Sequence, residues 1–542
     1  MTAVLTSTPT PARPSAAGRA VSGLAFRQLR LGAGLVLVTA VGVISLVAAT
    51  ADAIISVPGN VGSLRSLAGN PAIRTLFGDP VGLDTIGGFA VWRVGTPLSV
   101  LVSVWAIVAT TRVTRGDEAA GRWDLLLAGR TSLRAVVSRH LALVAAASVL
   151  IGLGVTVALT ASGAGGGGAL VFGAGLALVG ACFASLAALA AQVFSGRAAA
   201  TTSAVAVLGA SLLLRMLGDG VDVLGRLRWL SPLGLLGLAQ PYAANQWLPL
   251  VVLGLAAAAL AAATAVASGR RDLARGLVPA RPVRRARTGL LGSVDAFAFR
   301  RVFGPVVAWS LALGAYFLLI GLTAQSALDF LADNPMFGDR AADAGFALSS
   351  VRGFAATLFA VLALPIGGFV SVRLAAFTEA EADRRLTPLA AGPITRVRLI
   401  GAEIAATAVG AVALAVVAGL TLWLGLALSG GTEFGLGQAL GGAINMLPIV
   451  ALCLAASVLA VGWMPRAVGA VGGLPAVGGF LLYVLALDAG APRWLLDFSP
   501  FAHLAAVPLD PPHWVAAGTM TLLAAAGVAL GILRFRDRDL RG

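Results

Sequence analysis

GDEAAGRWDLLLAGR, residues 116–130, interrupts an otherwise oily chain. Upstream runs SVLVSVWAIVAT (99–110) and downstream LALVAAASVLIGLGVTVAL (141–159), and neither carries a charge. A bilayer-spanning helix needs roughly 20 consecutive apolar residues, so the flanking runs read as parts of two spans and the charged stretch as the turn between them. A second such stretch, TEAEADRRLTPLAAG at 378–392, again stands between apolar runs. Aligning Gly129 with Gly392 sets an offset of 263, which also pairs Glu118 with Glu381 and Arg122 with Arg385.

Composition makes lipid the main solvent of this chain. Of its 542 residues, 58% are hydrophobic and only 12% charged, with a mean hydropathy of +0.91. A soluble domain carries about 25% charged residues. The expected fold is therefore an all-α polytopic membrane protein. Twelve apolar runs are read as spans: 32–56, 86–110, 140–161, 169–194, 199–218, 247–268, 305–328, 354–376, 400–427, 438–462, 467–487 and 513–533.

The net charge of +15 is not the signature of a nucleic-acid partner. The arginines cluster in alternate loops, which is the bias of cytoplasmic segments. Arg13, Arg19, Arg27 and Arg30 precede the first span without an acid, and Arg534, Arg536, Arg538 and Arg541 close the chain. Loop 269–304 is the most basic, whereas 329–346 sets Asp329, Asp333, Asp339 and Asp343 against Arg340. Both termini and the 116–130 loop are thus expected in the cytoplasm, and the Ala, Gly and Arg bias suggests a bacterial plasma membrane.

All 39 basic residues are arginine. A P-loop needs its lysine to hold the terminal phosphates, so GAGGGG (163–168) reads as a flexible turn between spans and not a phosphate cradle. Cys182 and Cys453 both lie in apolar runs and imply neither a disulfide framework nor a zinc site.

Landmarks recur in order along the two halves. LAFRQLR (24–30) precedes the first span and FAFRRVF (297–303) the seventh. RWLSPLGLLGLAQP (228–241) has its counterpart in RWLLDFSPFAHLAAVP (493–508), and RRDLARG (270–276) in RDLRG (538–542). The expected organisation is a disordered cytoplasmic N-terminus (1–20), a first six-span half (21–276), a basic cytoplasmic linker (277–294) and a second six-span half (295–542). The Phe-Arg segments before spans one and seven read either as helices lying at the membrane surface or as plain topogenic flanks.

On one continuous helix, Glu118 and Arg122 would be i and i+4 and share a face, as would Glu381 and Arg385. Trp123, Leu125, Leu126 and Leu127 then supply an apolar patch, giving a short amphipathic helix at the cytoplasmic surface. Such a pair contributes only about 0.2–0.5 kcal/mol, so Glu118→Arg is expected to spare the fold. A solvated topogenic loop would explain Arg130 and Arg134, but not why acids stand twice where only positive charge helps.

The succession of acids, Gly-Arg, Leu-rich patch, Ala-Gly and basic segment resembles the cytoplasmic loop of bacterial ATP-binding-cassette (ABC) exporter permeases. The duplicated twelve-span form is similar to permeases of the tetronasin-resistance, polyketide antibiotic exporter type. This similarity of organisation covers nearly the whole chain, but its most specific motif is the one loop. The resemblance implies a coupling helix that docks onto a separate ATPase subunit. It puts Asp117, Glu118, Gly121 and Arg122 in a first docking element and Glu381, Arg384 and Arg385 in a second, where Arg384 replaces the glycine. It also implies two copies of a cytoplasmic ABC ATPase that bind ATP and Mg, with no catalytic site, cofactor or metal in this chain. The cargo implied is hydrophobic or amphipathic small molecules, antibiotics and drugs among them, moved out of the cell.

The rival reading is a proton-coupled secondary drug transporter of the major-facilitator kind, which also has twelve spans in two parallel halves. Proton coupling calls for an intramembrane carboxylate, and the expected spans hold none near mid-bilayer; Glu403 falls near the cytoplasmic end of the ninth. Arg93, Arg215 and Arg352 lie within spans, where they either snorkel or face acidic groups of the cargo. Trp229 and Trp494 are expected as anchors at the outer interface.

Overall fold

The computed structural model describes residues 16–56, 71–128, 131–273, 275–278, 292–333, 350–382, 385–386, 393–430, 434–488 and 492–538. Arg384, most of the N-terminal segment and most of the 277–294 linker lie outside the described residues. Among those described, all regular structure is helical, with no strand. The chain divides into two compact units, Met1–Pro282 and Val283–Gly542.

Eleven helices are long and apolar enough to cross a membrane. In the first unit they are α1 (Ala16–Ile55), α2 (Ile86–Thr111), α3 (Leu133–Ala161), α4 (Gly166–Val193), α5 (Arg197–Gly220) and α6 (Leu248–Gly269). The second unit holds α7 (Val294–Asp333), α8 (Val351–Ala382), α9 (Arg396–Leu428) and α10 (Leu436–Trp463), then α11 (Val468–Val484) and α12 (Trp514–Asp537). Here the twelve expected spans meet eleven. The stretch expected at 467–487 is α11, whose helix continues through Gly479–Asp488, so that from Val468 it runs roughly 30 Å at 1.5 Å per residue, close to a hydrocarbon core of about 30 Å. A π-helical turn at Leu474–Gly478 interrupts it, and Pro475 there has no N–H to offer the helical ladder.

Two helices run longer than expected. α1 and α7 each have 40 residues, roughly 60 Å. LAFRQLR and FAFRRVF are therefore not separate surface helices. They are the first turns of spans one and seven, with Phe26, Arg27, Phe299 and Arg300 exposed on their flanks. The glycine run 163–168 is likewise only half a turn. Gly166, Gly167 and Gly168 already belong to α4, and a Cβ on Gly168 would stand 2.4 Å from the Tyr242 ring.

In the first unit α4 is the central helix, packed by α2, α3, α5 and α6. Association within lipid relies on close packing rather than on the hydrophobic effect, and α3 and α4 meet at Gly152 and Gly173. A Cβ on Gly152 would come within 2.3 Å of the Gly173 carbonyl oxygen. In the second unit α8 and α10 take the central positions and α7 lies along α9. Each unit also uses its Ser-Pro pair in the same way. Ser231 Oγ donates to the Ser211 carbonyl at 2.7 Å, and Ser499 Oγ to the Gly479 carbonyl at 2.8 Å, each reaching 20 residues back.

Candidate functional site

The charged stretch of the first unit begins where α2 loosens. After Thr111 comes a π-helical turn, Arg112–Gly116, then one α-turn, Asp117–Ala119. Gly121 adopts φ +71, the left-handed region that costs glycine no side-chain clash. Its N–H bonds the Glu118 carbonyl at 3.0 Å, and a new six-residue helix, Arg122–Leu127, starts beyond it. The expected i, i+4 face is thus broken at Gly121. Arg122 Nη1 donates instead to Asp117 Oδ1 at 2.5 Å, and Asp117 Oδ2 accepts from Gln28 of α1 at 3.1 Å.

Glu118 turns inward. Its carboxylate receives Arg271 Nη1 at 2.6 Å and Nη2 at 2.7 Å, a bidentate pair, and Arg115 Nη1 at 3.0 Å. Only 2% of the Glu118 side chain and 1% of that of Arg271 is exposed. Two guanidiniums on one carboxylate leave N–H groups over, and each left unpaired would cost about 1–3 kcal/mol. The surroundings absorb them. Arg271 Nε donates to Gln192 Oε1 at 2.7 Å, Arg115 Nε to the Phe194 carbonyl at 2.8 Å, and both arginines reach the Arg275 carbonyl. Leu277 and Val278 then bond the Gln192 and Val193 carbonyls, strapping the segment after α6 onto the end of α4.

The apolar patch is not free either. Trp123 is 1% exposed, packed on Val21, Val136 and Val137, its ring 5.9 Å from that of His140. Leu126 and Leu127 are half-buried against the same cluster. Among the described residues, the loop leaves exposed Ala119, Ala120, Arg122, Asp124 and Ala128. Glu118→Arg would consequently set a cation among buried cations, so the expectation that this change spares the fold does not hold.

In the second unit Glu381, in the last turn of α8, is buried and accepts Arg538 Nη2 on both oxygens at 2.5 Å. Arg538 follows α12 directly, its guanidinium carbon 5.3 Å from the Phe535 ring centroid, and Phe535 packs on Phe377. Arg396 at the start of α9 donates to the Arg538 carbonyl. Arg385 is exposed and Leu386 buried. Further along the same helices, Glu403 sits between Arg373 Nη2 at 2.5 Å and Arg301 Nη1 at 3.4 Å.

The same acid is therefore met in both units by an arginine from beyond the last long helix. With that geometry in hand, the comparisons with known proteins are specific. The sequence model of the family described as "Multidrug efflux system permease Rv1217c, C-terminal domain" matches residues 19–268 and again residues 291–536. The chain belongs to that family. It is 30% identical over 480 residues to the multidrug efflux system permease protein Rv1217c of Mycobacterium tuberculosis, an alignment covering 88% of this chain and 86% of that protein.

The three arginines expected inside spans part company. Arg93 is exposed beside the Phe89 ring, and Arg352 is exposed, both compatible with snorkelling. Arg215 is not. It is buried near the end of α5, with Nε 2.7 Å from Asp219 and Nη1 bonded to the Leu76 carbonyl at 3.1 Å. Arg228 joins Asp79 and Asp219, and Arg74 lies 2.9 Å from both Asp79 and Asp222. Burial alone would lower the Arg74 pKa, but Asp222 and Asp79 outweigh it and raise it. This network walls a cavity that Phe77, Trp92 and Phe172 also line. Among the described residues no three His, Cys, Asp or Glu side chains are grouped to hold a metal.

Reading the motif alone misses Arg115, Gln192, Arg271 and Arg538. For Arg271 and Arg538 the signal is the pair of closing landmarks, which align Arg271-Asp272-Leu273 with Arg538-Asp539-Leu540.

Proposed function

We propose that the chain is the membrane subunit of an ABC exporter that moves hydrophobic or amphipathic small molecules out of a bacterial cell. Its basic ends and both termini face the cytoplasm, and two copies of a separate ABC ATPase bind ATP and Mg there. The chain itself supplies the membrane path and no hydrolytic site. Its loops 116–130 and 378–392 are the docks.

The observation that carries this reading is the anchoring found in both units. Each unit holds a buried acid of its charged loop against an arginine, while short stretches beside it stay exposed: Ala119, Ala120, Arg122 and Asp124 in one, Ala382 and Arg385 in the other. A loop that only marked topology would need neither the acid nor its burial. The carboxylates within the long helices add support. Glu381 and Glu403 in the long helices, and Glu118 beyond the end of α2, are each engaged by arginine, which favours their charged form.

The test is transport of ethidium into inverted membrane vesicles that contain the chain together with its ATPase. Uptake should require ATP and Mg on the cytoplasmic face and persist when an uncoupler collapses the proton gradient. Uptake stopped by the uncoupler while ATP remains abundant would make the chain a proton-coupled secondary transporter.

A further inference from the structure

We infer that Arg271 and Arg538 are positioning residues that join each charged loop to the end of its unit's last long helix, so that loop and helix end move as one body. The inference deepens the docking reading and rests on it for its role in transport. The joint itself is a statement about this chain alone.

Three observations carry it. First, the contacts are long in sequence and equivalent in place: 153 residues separate Glu118 from Arg271 and 157 separate Glu381 from Arg538. In both units an arginine within two residues of the last long helix meets a carboxylate at or just beyond the end of the second. Second, the acids and their partners are withdrawn from water, with side-chain exposures of 2% and 1% in the first unit and 5% and 12% in the second. Buried ion pairs are seldom more stabilising than apolar residues of the same volume, because desolvation offsets the Coulomb gain. They do impose a defined geometry, since either charge alone is costly. Two such pairs in equivalent places, within a chain that is 58% hydrophobic, are better explained by direction than by stability. Third, the first joint is reinforced along the strap that follows it. A Cβ on Gly276 would stand 2.5 Å from the Val193 carbonyl oxygen, so the strap runs as close to the end of α4 as a backbone can.

A displacement at the loop is then carried to α6 or α12 without passing through the apolar packing of the unit. In the first unit the π-helical turn at Arg112–Gly116 lies between the joint and α2, a place where the helical ladder is already loosened. The link from loop to last helix is thus ionic and bidentate there, while the link from loop to second helix runs through a widened turn.

The second unit is the cleaner place to test the joint, because the Arg538 side chain has fewer other partners. The full chain carries Ala382→Cys, an exposed position beside Glu381 that can be spin-labelled selectively because Cys182 and Cys453 are buried. Into it go Arg538→Gln, Arg538→Lys, Glu381→Arg, and the exchange Glu381→Arg with Arg538→Glu. Label mobility is recorded in membranes without ATPase or nucleotide, and ethidium export is recorded in cells with the ATPase present. Arg538→Gln should loosen the label and lower export at least about tenfold, the scale of removing one partner of a buried charge pair. Arg538→Lys and the exchange should restore both, although Glu381→Arg alone does not. An unchanged label in Arg538→Gln, or an exchange no better than Glu381→Arg alone, overturns the joint whatever powers transport. If Arg538→Gln does not accumulate in the membrane, Arg538→Lys and the exchange decide in the same way. A label that loosens as expected, with export that proves independent of ATP, upholds the joint and removes the docking reading.

Discussion

The two anchored loops use the same acid and the same kind of partner, yet they are built to different depths. In the first unit Glu118 is held by the guanidiniums of Arg271 and Arg115, and Arg271 is itself held by Gln192 and backbone carbonyls. In the second unit Glu381 is met by one nitrogen of Arg538, while Arg538 Nε and Nη1 have no hydrogen-bond partner among the described residues and Phe535 covers one face of the guanidinium. Thr378 stands at the position equivalent to Arg115, and among the described residues no second cation pairs with Glu381. The first joint has redundancy, and the second depends on one contact that a simpler cation could also make.

That contrast predicts opposite responses to one conservative change. Arg271→Lys keeps the charge but loses the fork that serves both Glu118 oxygens and Gln192 together. A loss approaching the roughly 3–5 kcal/mol of a broken buried pair is expected, read as a large fall in the melting temperature of the purified chain. Arg538→Lys should cost less than about 1 kcal/mol, because one ammonium can sit where Nη2 sits. Equal sensitivity of the two positions would mean that the two joints are not built differently. Truncation sharpens the same point at smaller scale. Arg538→Ala should cost about 1.5–3 kcal/mol, the range for a hydrogen bond to a charged group, and less than Arg271→Ala in the same assay.

Gln192→Leu probes the redundancy directly. It leaves Arg271 Nε unpaired, so a destabilisation of about 1–3 kcal/mol is expected, with the Glu118 pair intact. No change would show that Gln192 is a bystander. The smallest stability effect belongs to Arg122→Ala. Arg122 is 58% exposed while it pairs with Asp117, and such pairs contribute about 0–1 kcal/mol. Its expected effect is on partner binding: unchanged melting, but less ATPase recovered with the chain on purification.

Much of this was legible in the sequence, and what was not has identifiable causes. The spans follow from length and apolar runs, and 467–487 is helical as well, with a π-helical turn at Leu474–Gly478 inside it. The charged loops stood out by contrast with their neighbours. Their local geometry did not follow from helical spacing, because Gly121 in a left-handed conformation parts Glu118 from Arg122 after one turn. Besides Arg115, three residues back, Glu118 has a bidentate partner 153 residues away, beyond any periodicity argument, and only the repeated Arg-Asp-Leu hinted at it. Trp123 read as part of an exposed patch because amphipathicity reveals that a face is apolar and not what covers it. Arg215 read as either snorkelling or facing the cargo, although Asp219, its partner, lies one helical turn on.

The central claim is that the exposed edges of the two anchored loops meet a separate ATPase, and cross-linking tests it most directly. A photo-reactive residue is placed at Ala120 and, separately, at Ala382 in the full chain, in membranes that export ethidium. Irradiation should join each position to a P-loop ATPase subunit identified by mass spectrometry, with a control at exposed Val515 in α12 giving none. Membranes that still export the dye but yield no ATPase adduct from either loop would contradict docking at these loops.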